Sequence, residues 1–162
     1  MRRPPRGRGS GARLGRSQEG DRSVDALGCG GSGGRLIFVD ANVFMYAVGR
    51  DHPLAEASRS FFRRALEEDT SLVTSAEILQ EILHAYLPVD RLADFDAAME
   101  LASSRSREIW PVEIEDVVLA RDLAESRPAL SARDLLHLAC CIRRGVDRIH
   151  TFDRALRAAF ES

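Results

Sequence analysis

Lysine is absent from this 162-residue chain, so all 23 of its basic side chains, histidine aside, are arginine. That absence excludes any reaction that needs a lysine ammonium group. Cysteine is scarce: Cys29, Cys140 and Cys141 offer neither a zinc-ligand spacing nor an even disulfide set. The adjacent pair falls in an apolar helical stretch and is expected to fill core space in a reducing cytoplasm. No apolar run approaches the ~18 residues of a membrane span, so no membrane partner is expected. Residues 1–34 hold almost no large apolar side chains. They hold ten of the twelve glycines, two of the six prolines, and seven arginines against three acids. Such a segment cannot bury enough surface to offset the entropy of ordering, and it is read as a disordered Arg/Gly-rich tail. It has no apolar core of a secretory signal, and an overlong start explains it better than a nucleic-acid-binding arm. The tail's net +4 within a chain total of −2 leaves residues 35–162 acidic, at −6.

What is present begins with Leu36-Ile37-Phe38-Val39, an apolar run that stops at Asp40-Ala41-Asn42. Large apolar residues without alternation predict a strand buried on both faces, as in parallel sheets. Asp40 then stands at the carboxyl end of that strand, where open α/β sheets place their ligands. A short helix follows, and Asp51-His52-Pro53 predicts another, with proline at its first position, running to about Glu68. Leu72-Val73-Thr74 is expected as the second strand. Thr74-Ser75-Ala76-Glu77 has the form of a capping box, which gives Glu77 a structural role. On the helix that follows, Glu81 sits at the border of an apolar face formed by Ile78, Leu79, Ile82, Leu83 and Tyr86.

A helix over Asp90–Ser103 comes next, then an extended piece, Ile109–Val112, which Pro111 confines to an edge or a strand end. Glu113–Glu125 is expected as an amphipathic helix. Ser131-Ala132-Arg133-Asp134 again resembles a capping box, opening a helix so apolar that Asp134 and His137 should be carried toward the interior. His137 is read as a core histidine in preference to a support for the acids. Arg143-Arg144-Gly145 predicts the helix end, with cations facing its negative pole. Arg148–Phe152 is expected as the last strand, and Asp153 opens the last helix. Strands alternating with helices predict a parallel sheet covered on both faces.

Each acid alone has an ordinary explanation, as a cap or as a solvated border residue. Together, two strand ends and two helix faces direct acids toward one edge of the sheet. Carboxylates gathered within ~4 to 6 Å raise one another's pKa and call for a counter-cation. Oxygen donors without cysteine or paired histidines suit Mg²⁺ or Mn²⁺, and such a site can brace a phosphodiester for in-line attack by water.

Val39-Asp40-Ala41-Asn42, Thr74 to Glu81, Leu130 to Asp134 and Thr151-Phe152-Asp153 resemble, in order and separation, the four acidic motifs of PIN-domain ribonucleases. Within that family the compact form is most similar to VapC toxins of type II toxin–antitoxin systems. The resemblance implies a three-layer α/β/α sandwich with a short central parallel sheet, spanning residues 35–162. It implies a cytoplasmic, metal-dependent endoribonuclease in which Asp40, Glu81, Asp134 and Asp153 hold Mg²⁺ or Mn²⁺, with Asn42 and Thr151 supporting them. It also implies an RNA substrate, a small antitoxin partner and a homodimer. A PIN fold that binds RNA or a partner without cutting, or a PIN nuclease of RNA processing without an antitoxin, remains an alternative at this stage. HAD-type phosphatases also begin with a strand ending in aspartate, but they need a second aspartate where Asn42 stands, and a lysine.

Overall fold

In the computed structural model residues 36–161 are described, and the tail expected over residues 1–34 lies outside the described residues. Four strands form one sheet in the order β3-β2-β1-β4, every pairing parallel. The central strands are β1 (Leu36–Val39) and β2 (Ser71–Ser75), the edges β3 (Ser106–Trp110) and β4 (Ile149–His150). Helices α1 (Ala41–Val48), α2 (Ala55–Glu67), α3 (Ala76–Tyr86) and α4 (Leu92–Arg105) pack on one another, a 3₁₀ turn at Leu87–Val89 joining the last two. Helices α5 (Ile114–Leu123), α6 (Ala132–Arg143) and α7 (Arg154–Phe160) form the other group, α6 packing on both neighbours. The result is the three-layer α/β/α sandwich the sequence predicts. No helix among the described residues is long and apolar enough to cross a membrane.

The core is built where the apolar runs placed it. Phe38 and Val39 are fully buried, and Phe38 stacks on Trp110 with ring centres 5.8 Å apart. Truncating Phe38 to alanine would cost about 3–5 kcal/mol. Cys140 and Cys141 are buried core residues, and burial pushes the Cys140 thiol up to about 12, which keeps it protonated.

Several boundaries move, each for a local reason. Helix α2 starts at Ala55 and not at Pro53, because the His52 carbonyl accepts from the Ala55 N–H and its Nδ1 from the Leu54 N–H, closing a turn first. Strand β2 runs on to Ser75, which pairs with Trp110 of β3. Strand β3 begins at Ser106, earlier than expected. It skips Arg107 in its register with β2, and it lies at the sheet edge with Pro111 just past its end. Strand β4 is only two residues long, because side chains take the next backbone groups: Asn42 Oδ1 accepts from the Phe152 N–H, and Arg157 donates to the Thr151 carbonyl.

Helix α6 ends as its sequence predicts. Gly145 adopts φ +67°, and the Gly145 and Val146 N–H groups return to the carbonyls of Ile142 and Cys141. Its two arginines do more than face the helix pole. Asp116 on α5 is 0% exposed, and its Oδ1 accepts from Arg143 Nη1 at 2.6 Å and Arg144 Nη1 at 2.9 Å. Its Oδ2 accepts from the Glu113 N–H at 2.9 Å, half of a capping box that starts α5. Burial raises the pKa of this carboxyl, but the hydrogen bonds from Arg144, the Glu113 backbone and Arg143 together outweigh it and hold the group well below the usual range.

Candidate active site

The site is built around the residue that ends β1. Asp40 is extended (φ −80°, ψ 157°) and caps α1, its Oδ1 accepting from the Ala41 N–H at 2.7 Å. Its Oδ2 accepts from Asn42 Nδ2 at 2.6 Å and from the Thr151 hydroxyl at 2.5 Å. Thr151 Oγ1 in turn accepts from the Asp153 N–H at 2.9 Å and from Asn42 Nδ2 at 3.2 Å. One network thus ties the end of β1, the first turn of α1 and the link from β4 to α7 to a single carboxylate. Behind it, the Thr74 hydroxyl donates to the Val39 carbonyl at 3.0 Å and fixes the end of β1 against β2.

Asp40 is 6% exposed. Burial raises its pKa; the Thr151 hydrogen bond, the field of His137 and the Ala41 N–H lower it, Glu81 raises it again, and the net shift is upward. A carboxylate in this state is short of positive charge.

Glu81 approaches from α3, with its side chain 25% exposed. Its Oε1 accepts from Arg133 Nη1 at 2.9 Å, and its Oε2 lies 3.4 Å from His137 Nε2. Burial raises its pKa, yet the contacts with His137 and Arg133 outweigh burial and leave it lowered. The capping box expected one turn earlier is not made. Because β2 extends through Ser75, Ser75 becomes the cap of α3, accepting from the Ile78 N–H at 3.4 Å. Glu77 therefore sits one position too early to close the box, and its Oε1 lies 3.9 Å from Arg133 Nε instead.

Of the four acids singled out in the sequence, two converge. One ligand atom each from Asp40, Glu81 and His137 lie within 4.8 Å of one another, and Asp134 and Asp153 are outside that group. Asp134 makes the expected capping box: its Oδ2 accepts from the Ser131 N–H at 3.0 Å and from the Ser131 hydroxyl at 2.7 Å. Asp153 caps α7, accepting from the Leu156 N–H at 2.9 Å. Both are connected to the cluster. Asp134 lies one turn before His137 on α6, and Asp153 is hydrogen-bonded to the threonine that holds Asp40. The residue that the sequence reading undervalued is His137. It is buried in the core as expected, but it presents Nε2 to Glu81, and the signal is its position one turn from Asp134 on the same helix face.

The donor set fits a divalent cation. Two carboxylates and an imidazole converge, and one of the carboxylates is undercompensated.

Comparison with known proteins gives this geometry its family. Residues 37–160 match the PIN domain model. Ribonuclease VapC23 of Mycobacterium tuberculosis is 58% identical over 127 residues, 78% of this chain and 100% of that protein. VapC ribonuclease Mb1869c of Mycobacterium bovis is 38% identical over 119 residues, 74% of this chain and 91% of that protein. Among solved structures, VapC20 of Mycobacterium tuberculosis, a Sarcin-Ricin loop cleaving toxin, superposes with a TM-score of 0.64 at 17% identity, covering 76% of this chain and 94% of that one. VapBC2 from Rickettsia felis, solved bound to a promoter DNA fragment, gives 0.58 at 15% identity over 73% of this chain and 87% of that one. At such identities the two structures speak for the fold. With an acid-bearing edge on a parallel sheet, a model match over most of its length and a VapC relative at 58% identity, the chain belongs to the PIN domain family, among the VapC-type ribonucleases.

Proposed function

We propose that this chain is a metal-dependent endoribonuclease, the toxin of a toxin–antitoxin pair, with residues 35–162 as its nuclease domain. The observation that carries the reading is the convergence of Asp40, Glu81 and His137 at the carboxyl edge of the sheet, in a chain 58% identical to a VapC ribonuclease. The substrate is RNA in the cytoplasm, and a small antitoxin covers the site when the toxin is held inactive. The nuclease acts as a homodimer.

Asp40 and Glu81 would hold Mg²⁺ or Mn²⁺. When bound, the ion supplies neutralisation of the charge that develops on the phosphate and acidifies the attacking water. The chain's own residues set the stage. Asn42 and Thr151 lock the Asp40 carboxylate in one orientation through Oδ2. Asp134 and Asp153 each keep one carboxylate oxygen outside their caps, and these oxygens would help to hold the ion when RNA is bound. Arg133, paired with Glu81 at 2.9 Å, offers a guanidinium for the scissile phosphate. In-line attack of water at phosphorus would form the new P–O bond as the bond to the 3′ oxygen breaks, the water losing a proton to solvent and the 3′ oxygen gaining one from it.

The test is incubation of total RNA with the purified, antitoxin-free chain in Mg²⁺ or Mn²⁺, with and without chelator. Discrete cuts that disappear with chelator are expected. A folded, metal-loaded chain that leaves RNA intact would overturn the reading.

A further inference from the structure

His137 is the site residue that a four-acid pattern leaves unexplained. It is 1% exposed, with its ring centre 5.9 Å from that of Phe38. A buried histidine normally satisfies both ring nitrogens. Here Nδ1 has no partner among the described residues, and an unmet buried polar group costs about 1–3 kcal/mol. Nε2 lies 3.4 Å from Glu81 Oε2, longer than the ~2.7–2.9 Å of a good charge-assisted bond. An apolar side chain would fill the same space without that cost. Packing therefore does not explain an imidazole at this position, and what Nε2 faces must.

Nε2 faces Glu81, and Asp40 completes the group. Ligand atoms from the three residues lie within 4.8 Å of one another, and two ligands with bonds of ~2.1 Å are at most ~4.2 Å apart across one ion. Small side-chain rotations close that difference. We propose that His137 Nε2 is a nitrogen ligand completing a mixed site with Asp40 and Glu81, and that this donor biases the site toward Mn²⁺ over Mg²⁺. The inference rests on the metal-dependent reading given above. Mg²⁺ takes oxygen donors in near-ideal octahedral geometry, whereas imidazole favours transition ions. A neutral ligand imidazole carries its proton on Nδ1, the nitrogen turned into the core. Ligand histidines usually donate that second N–H to a carboxylate or carbonyl.

The experiment is Mn²⁺ electron paramagnetic resonance on the full chain, with calorimetric titration of Mn²⁺ and Mg²⁺, for wild type, His137→Gln and Asp40→Asn. Circular dichroism checks folding, and His137→Asn replaces the glutamine variant if that one does not fold. Wild type should show nitrogen hyperfine coupling to Mn²⁺, and His137→Gln should lose it. The same substitution should weaken Mn²⁺ binding at least about ten-fold while leaving Mg²⁺ within about two-fold. Asp40→Asn should lose both ions. Mn²⁺ that binds through Asp40 without nitrogen coupling would overturn the assignment of His137 and leave the acidic site standing. No Mn²⁺ binding by folded wild type would overturn both.

Discussion

Asp40 and Asp116 are both carboxylates withdrawn from water, 6% and 0% exposed, and the fold treats them in opposite ways. Asp116 is enclosed by two guanidinium groups and a backbone N–H, so its charge is overcompensated and its pKa falls. Asp40 is held by a hydroxyl, an amide and one backbone N–H, with a second carboxylate nearby, and its pKa rises. The first arrangement pins α5 to the end of α6. The second keeps an anion oriented but undercompensated, the condition of a group that awaits a cation. A buried acid is therefore read by what surrounds it and not by its burial.

Substitutions that separate the two acids sharpen this contrast. The largest effect belongs to Asp40→Asn, which should lower metal-dependent RNA cleavage about a hundred-fold or more, because several kcal/mol of transition-state stabilisation go with the ligand. Gel assays on total RNA read it, and cleavage at the wild-type rate would break the contrast at once.

His150 supplies a third case, a half-buried titratable group whose charged neighbours are both arginines. It stacks on Phe61 at 3.7 Å, its Nε2 has no partner among the described residues, and burial lowers its pKa to about 4. With a folded pKa below the unfolded value of 6.5, stability is full above pH 6.5 and is lost as pH falls toward 4. That loss is about 1–2 kcal/mol once solvent screening of the half-buried ring is allowed for, and His150→Gln should remove it from urea melts taken across this range.

Asp116→Asn should cost about 2–3 kcal/mol in the same melts, less than for a fully buried pair because both arginines can rehydrate. A depressed pKa contributes stability above the unfolded value near ~3.9, so the wild type's advantage over this variant should shrink only below about pH 4. Asp40 has the opposite sign. Its raised pKa means that its contribution is present at low pH and is lost as pH rises through the folded value, so acidification should favour wild type over Asp40→Asn.

The smallest effect is Ser131→Ala, about 1 kcal/mol of stability from the lost cap, with little change in cleavage. Asp134→Asn shares that cap but should also lose cleavage about a hundred-fold. Equal, small effects from the two would reduce Asp134 to a cap.

Much of this arrangement could be read from residue order. The apolar run ending at Asp40, the capping box at Ser131, the glycine ending α6 and the proline at the edge strand are local signals, and local signals survive folding. Asp116 was not legible. As the third residue of an amphipathic helix it looks like any acid near a positive helix pole, and Arg143-Arg144 looks like a pair of cations at a negative one. Only the packing of α5 on α6 joins them. The shift of the α3 cap from Thr74 to Ser75 was hidden for a similar reason, since the length of β2 is set by its pairing with β3. For His137, periodicity gave the face of α6 but not which ring nitrogen meets Glu81.

The most direct measurement is urea denaturation of wild type and Asp40→Asn at pH 7, each with and without saturating Mn²⁺. Without metal, Asp40→Asn should lie within about 2 kcal/mol of wild type, because removal of a buried charge offsets the loss of the two hydrogen bonds that Oδ2 accepts. With Mn²⁺ at a hundred times its dissociation constant, wild type should gain about 2.7 kcal/mol and Asp40→Asn nothing. A variant clearly less stable without metal, yet stabilised by Mn²⁺ as much as wild type, would show that Asp40 is a structural acid of the same kind as Asp116.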